Sequence, residues 1–120
     1  LQMALSAAAL SQGGLRPHPI LVMAVDTPQQ GWVILLAENA QPGLAVDGIS
    51  AAARLLAVES QPYWRSLGSS LTRDSKVTWF LGGTLPGTAG TPLALAVALE
   101  EDNPALADQI GLELLSTAGR

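Results

Sequence analysis

A hydroxyl becomes a nucleophile only beside a base that takes its proton, and a metal is held only by several ligating groups at suitable spacing. This chain meets neither requirement from its own residues. Ser66, Ser69 and Ser70 surround Gly68 in the run Tyr63-Trp64-Arg65-Ser66-Leu67-Gly68-Ser69-Ser70. Taken alone they are ordinary strand-end serines whose hydroxyls can donate hydrogen bonds. Lys76 is the only lysine and has Arg73, not a serine, three residues before it. His18 lies between Pro17 and Pro19 with no His, Asp or Glu at ligand spacing, which assigns it to surface or packing. Glu100-Glu101-Asp102 stands before a helix start, where acidic groups are favoured electrostatically. Gly82-Gly83 and Gly87 lack the strand-to-helix context of a phosphate loop. No catalytic residue, metal ligand or cofactor site is therefore expected within the chain.

Composition narrows the classes further. A chain of 120 residues is one domain's worth, and 48% hydrophobic residues with a mean hydropathy of +0.32 provide for a packed core. Charged residues make up only 13%, few enough to suggest that more protein covers part of the surface. The net charge of -4 and scattered basic residues exclude a nucleic-acid surface. The absence of cysteine excludes disulfides and thiolate metal sites. No apolar run is long enough to span a bilayer, and the start lacks the basic region of a signal peptide. Leu1 is not an initiator methionine, and the sequence reads as helix from its first residue with no capping side chain before it. The expectation is a fragment of a longer protein.

The elements that must position these residues follow from periodicity. Leu1, Leu5, Ala8 and Ala9 recur at helical spacing until Gly13-Gly14. Arg16 to Pro19 is extended, since a proline disfavours helix in the residue before it. Ile20 to Val25 and Trp32 to Leu36 read as strands joined by Asp26-Thr27-Pro28-Gln29-Gln30-Gly31, a hairpin. Glu38 to Gly43 reads as loop. Asp47 or Ser50 caps a helix to about Ser60, with Ile49, Ala53, Leu56 and Ala57 inward and Pro62 closing it. Strands follow near 64–72, 76–83 and 92–99, the first two joined by Arg73-Asp74-Ser75. The last of them sets Leu93, Leu95, Val97 and Leu99 against Ala94, Ala96 and Ala98, apolar on both faces, which predicts a central strand with a helix close on the alanine side. Asn103-Pro104 begins a helix with Leu106, Ile110 and Leu114 as its buried stripe and Gly119 as its end. Trp79 and Phe80 are expected in the core.

Four segments in order resemble the C-terminal part of a penicillin-binding transpeptidase domain. Leu1-Gln2-Met3-Ala4 through Gly13-Gly14 resembles a helix reading Leu-Gln-x-Ala and ending in Asn-Gly-Gly. Arg16-Pro17-His18-Pro19 with Leu21-Val22 resembles the segment after it. Trp79-Phe80-Leu81-Gly82 resembles the strand Trp-Phe-x-Gly, and Leu95 to Glu100 with the final helix resembles the closing strand and helix. Each motif is weak alone; order and spacing over nearly the whole chain carry the likeness.

The resemblance implies an α+β fold, a fragment of the penicillin-binding transpeptidase/β-lactamase-like class with an antiparallel sheet packed by helices, residues 1–120 forming its C-terminal part. In that family a serine attacks a peptidoglycan stem peptide with help from a lysine, and neither the Ser-x-x-Lys nor the Ser-x-Asn motif is present here. The family's Lys-Thr-Gly strand is represented by Ser66-Leu67-Gly68, so only its glycine remains. Ser66 cannot supply the cation that faces a substrate carboxylate, and Arg65, one step along the strand, points to the opposite face. Gly68, Ser69 and Ser70 are the substrate-binding residues carried over, by close backbone approach and hydroxyl donation. The implied parent is a serine-type D,D-transpeptidase or a degenerate, non-catalytic relative of one, in peptidoglycan synthesis or its scaffolding. It would lie on the extracytoplasmic side of the bacterial inner membrane, anchored by a segment outside this chain. Implied partners are the missing N-terminal half of the domain and either the stem peptide or cell-wall synthesis proteins, with no nucleic acid. The alternative is a stand-alone protein-interaction module unrelated to the cell wall.

Overall fold

Gly13 and Gly14, at φ of 64° and 100°, take the left-handed backbone that side chains disfavour, and they end the first helix as expected. The computed structural model describes residues 1–36, 38–43, 45–71 and 75–118. In chain order the elements are α1 (Gln2–Ser11), β1 (Leu15–Arg16), β2 (Ala24–Thr27), β3 (Gly31–Ile34), β4 (Gln41–Pro42), α2 (Val46–Leu55), β5 (Tyr63–Leu71), β6 (Lys76–Thr84), β7 (Ala94–Leu99) and α3 (Pro104–Ala118). The chain is a small α+β domain whose described strands form three antiparallel sheets.

The main sheet has the order β5-β6-β7. Its register runs unbroken from Tyr63↔Thr84 to Leu71↔Lys76 and from Thr78↔Leu99 to Gly83↔Ala94. Alternation sorts its side chains between two layers. Phe80, Tyr63, Leu95, Val97 and Leu99 pack with Ala107, Leu112 and Leu115 of α3. On the other face, α1 lies over β6 and β7, and buried Trp64 donates from its Nε1 to Ser11 Oγ at 2.9 Å. The small Ala94, Ala96 and Ala98 are on this α1 side, as the expected close helix approach requires.

Several expectations need correction. β7 is the edge of its sheet, not a central strand: it pairs with β6 and, among the described residues, with nothing beyond. α2 begins at Val46 after Ala45, with no side-chain cap, so Asp47 lies inside the first turn and neither it nor Ser50 caps. Asp47 still stands where the helix dipole favours an acid. The helix stops at Leu55 because the next residues are drawn into pairing with β5. Val58 N–H donates to Tyr63 O at 2.8 Å and Arg65 N–H to Leu56 O at 3.0 Å, with Ser60 at φ 59° turning the chain between them. Ile49 and Ala53 are buried as expected, but Leu56 is only partly so and Ala57 is exposed.

The buried stripe of α3 is Ala107, Gly111 and Leu115, one position on from Leu106, Ile110 and Leu114. Leu106 and Leu114 are exposed instead. The cause is Phe80, whose ring lies where a Cβ on Gly111 would stand. The helix therefore turns Gly111 to the sheet at that point, because a side chain there would meet the ring. Asn103 caps α3 as expected, accepting from Leu106 N–H at 3.1 Å.

The hairpin exists, with shorter strands than expected: Ala24 pairs with Ile34 and Thr27 with Gly31. Residues 41–42 of the expected loop pair instead with Leu15–Arg16. The expected strand end at Thr72, the Arg73-Asp74 turn and the Gly119 stop lie outside the described residues.

Two glycine substitutions separate packing from propensity. Gly111→Ala sets a helix gain of about 1 kcal/mol against overpacking on Phe80, and is expected to destabilise by about 1–2 kcal/mol net. Gly48→Ala in α2, where a Cβ meets nothing within 4 Å, is expected to stabilise by about 0.5–1 kcal/mol. Urea unfolding of the two variants measures both; the same sign for both would contradict the packing described.

Candidate functional site

The β5 strand alternates between two environments. The pairs Trp64↔Gly83, Ser66↔Leu81 and Gly68↔Trp79 share the face covered by α1, while Tyr63, Arg65 and Leu67 take the face of α3. On the α1 face, Met3, Trp79 and Leu81 join residues 66–70 to line a groove of about 480 Å³. A Cβ on Gly68 would meet nothing within 4 Å, so the groove is open above that backbone. Trp79 Nε1 donates to Ser70 Oγ at 3.1 Å, which holds the indole as one wall. Trp79 is only partly buried, so the expectation of a core residue holds for Phe80 and not for its neighbour.

The structure brings Gly68, Ser69 and Ser70 together at this groove, all exposed. Ser69 alternates away from Gly68 and Ser70, and it lines the groove from the strand edge. That edge is partly open. Residues 56–58 pair with β5 up to Arg65, and among the described residues no strand continues the pairing along Leu67 to Leu71. Backbone groups of Leu67 and Ser69 therefore face outward beside the groove, since Arg65 N–H already points that way.

Among the described residues, no lysine or arginine lines the groove. Arg65 turns to the other face, where its Nη1 donates to Asp108 Oδ2 of α3. The pair is half-buried, and Asp108 Oδ1 is enclosed with no hydrogen-bond partner among the described residues. Asp108 thus relies on Arg65 as its partner, and the guanidinium is committed to α3.

The remaining chemistry-bearing residues serve structure. Lys76 Nζ meets Asp102 Oδ2 at 2.6 Å. Thr78 Oγ1 donates to Glu101 O at 2.7 Å and accepts from Asn103 N–H at 3.1 Å, which fixes the acidic run before α3. His18 Nδ1 lies 3.3 Å from Glu38 Oε2 at the surface, a partner that its sequence neighbourhood did not indicate. No cluster of His, Cys, Asp or Glu with the makings of a metal site occurs among the described residues. Met3 was read only as part of a helix; its place in the groove becomes visible only when α1 is laid across the sheet.

No protein-family model matches the chain, and no curated protein or solved structure matches it.

Arg65→Gln is expected to lower stability by roughly 1 kcal/mol or less, because the pair is partly solvated. Backbone amide shifts of Ser66, Gly68 and Ser70 are expected to stay in place in NMR spectra of the variant. Large shifts there would mean that the guanidinium acts on the groove.

Proposed function

We propose that residues 1–120 are the C-terminal part of a penicillin-binding transpeptidase-like domain, incapable of catalysis alone. The parent takes part in peptidoglycan synthesis as a degenerate, scaffolding homologue. The observation that carries this reading is the convergence of resembling segments that are distant in sequence. Met3 of Leu1-Gln2-Met3-Ala4, Gly68 with its flanking serines, and Trp79 of Trp79-Phe80-Leu81-Gly82 meet at one groove beside a partly open strand edge.

The groove's chemistry suits an extended peptide. Outward N–H and C=O groups of Leu67 and Ser69 match the pairing pattern of a peptide laid alongside. Gly68 leaves room above the strand, Trp79 and Leu81 give an apolar wall, and the hydroxyls of Ser69 and Ser70 offer donors. A carboxylate at the end of that peptide would find no cation among the described residues, since Ser66 occupies the lysine position and Arg65 is held by Asp108. The parent therefore keeps a peptide-shaped surface without the charge that anchors a substrate terminus. Such a surface fits a stem peptide bound weakly or a segment of another cell-wall synthesis protein. In this reading the missing N-terminal half completes the domain, on the extracytoplasmic side of the bacterial inner membrane, held by an anchor outside these residues.

Exposure of the natural gene product to a fluorescent penicillin tests the degenerate reading. The expected gel shows no labelled band at its mass. A band that excess unlabelled penicillin removes would refute the loss of catalysis.

A further inference from the structure

The hairpin of β2 and β3 turns its largest side chains to solvent. Trp32, Ile34 and Leu36 fall on one face by alternation, and they are 73%, 75% and 93% exposed. Leu35 N–H donates to Met23 O at 2.9 Å, so the ladder runs on past Ala24↔Ile34 and sets Val22 opposite Leu36. The face therefore has two unlike columns. β3 supplies the three large side chains, and β2 supplies the smaller Asp26, Ala24 and Val22 beside them. One column stands high and the other low, and only Asp26, next to the turn, is polar.

A two-stranded ribbon is marginal in water unless another layer covers its apolar face. Among the described residues the hairpin makes its extensive contacts within itself, so neither the helices nor the main sheet supplies that layer. Covering the three large side chains removes on the order of 400 Å² from water, about half of what each partner gives to a standard interface.

We infer that this face is an interface between two copies of the chain, packed hairpin on hairpin about a twofold axis running along the strands. Rotation about that axis lays β3 of one copy over β2 of the other. Ile34 of each copy then seats on Ala24 of its partner, and the high column meets the low one. An axis across the strands would set β3 on β3 and large on large. Charge agrees with self-association. The chain carries a net charge of -4, yet Asp26 is the one ionisable side chain between positions 19 and 36, so the two faces meet with little repulsion. A bilayer is a poorer occupant. The tip Thr27-Pro28-Gln29-Gln30 is polar, and residues 17–36 contain no lysine or arginine to meet anionic headgroups. The inference stands apart from the reading under Proposed function.

Sedimentation of the natural gene product over a range of concentrations tests it. A reversible dimer with Kd below about 10 μM is expected. Ile34→Asp is expected to raise that constant at least about 10-fold, whereas Leu55→Asp, at an equally exposed leucine on α2, leaves it in place. Ala24→Trp separates shaped packing from mere stickiness. It enlarges the apolar face and gives Ile34 a favourable cross-strand neighbour, yet it fills the low column, and it is expected to weaken the dimer by about 10-fold. A monomer at about 100 μM would overturn the inference, whatever else covers the hairpin. So would a dimer indifferent to Ile34→Asp, or one tightened by Ala24→Trp. None of these readouts involves penicillin labelling. A labelled dimer sinks only the degenerate reading, and an unlabelled monomer sinks only the interface.

Discussion

The two-residue period of β5 decides what the groove is made of. Once Trp64 is buried on the α1 side and hydrogen-bonded to Ser11, every second residue of the strand is committed to that side. Ser66 and Gly68 must then face the groove, and Arg65 must face α3, where Asp108 receives it. Shifting the register by one residue would bury the guanidinium against α1 and drive the indole into the face that Tyr63, Phe80 and α3 already fill, a change costing far more than the ion pair supplies. The absence of Arg65 from the groove is therefore a consequence of core packing. No rotamer change at Arg65 brings its charge through the sheet.

A second constraint works from the opposite face. Phe80 is fully buried and its ring occupies the space above Gly111, so α3 can approach only with that glycine inward. That choice places Asp108, next to buried Ala107, within reach of Arg65. It also turns Leu106 and Leu114 outward. The position of the ion pair and the exposure of the two leucines thus have one cause, the bulk of a single aromatic ring.

The three long elements of the sheet and both terminal helices were legible because their signals are local. Gly13-Gly14 is a helix stop, Asn103-Pro104 a helix start, and the 63–84 region an alternating run around a turn. The register of α3 was not legible, since periodicity favours the largest apolar residues and cannot see an opposing ring. The edge position of β7 was not legible either. Its two apolar faces describe a strand covered on both sides, but Ala94 and Ala98 are exposed, and sheet order depends on which other strands are present. The short pairing of residues 56–58 with β5 escaped because helix propensity runs on past Leu55 until tertiary pairing interrupts it. At the site, the opposed direction of Arg65 could be read from alternation, whereas Gly68, Ser69 and Ser70 were singled out only through the family resemblance. The contribution of Met3 needed the helix laid across the sheet.

The claim that the described residues of the groove supply no anchoring cation is tested most directly by titrating the natural gene product with N-acetyl-D-alanine, a minimal peptide carboxylate, while following the amides of Gly68, Ser69 and Ser70 by NMR. The account predicts no saturable shift below about 10 mM, since neutral hydroxyls and backbone groups alone hold a small carboxylate weakly. Saturation at submillimolar concentration, abolished by Arg65→Gln, would contradict it.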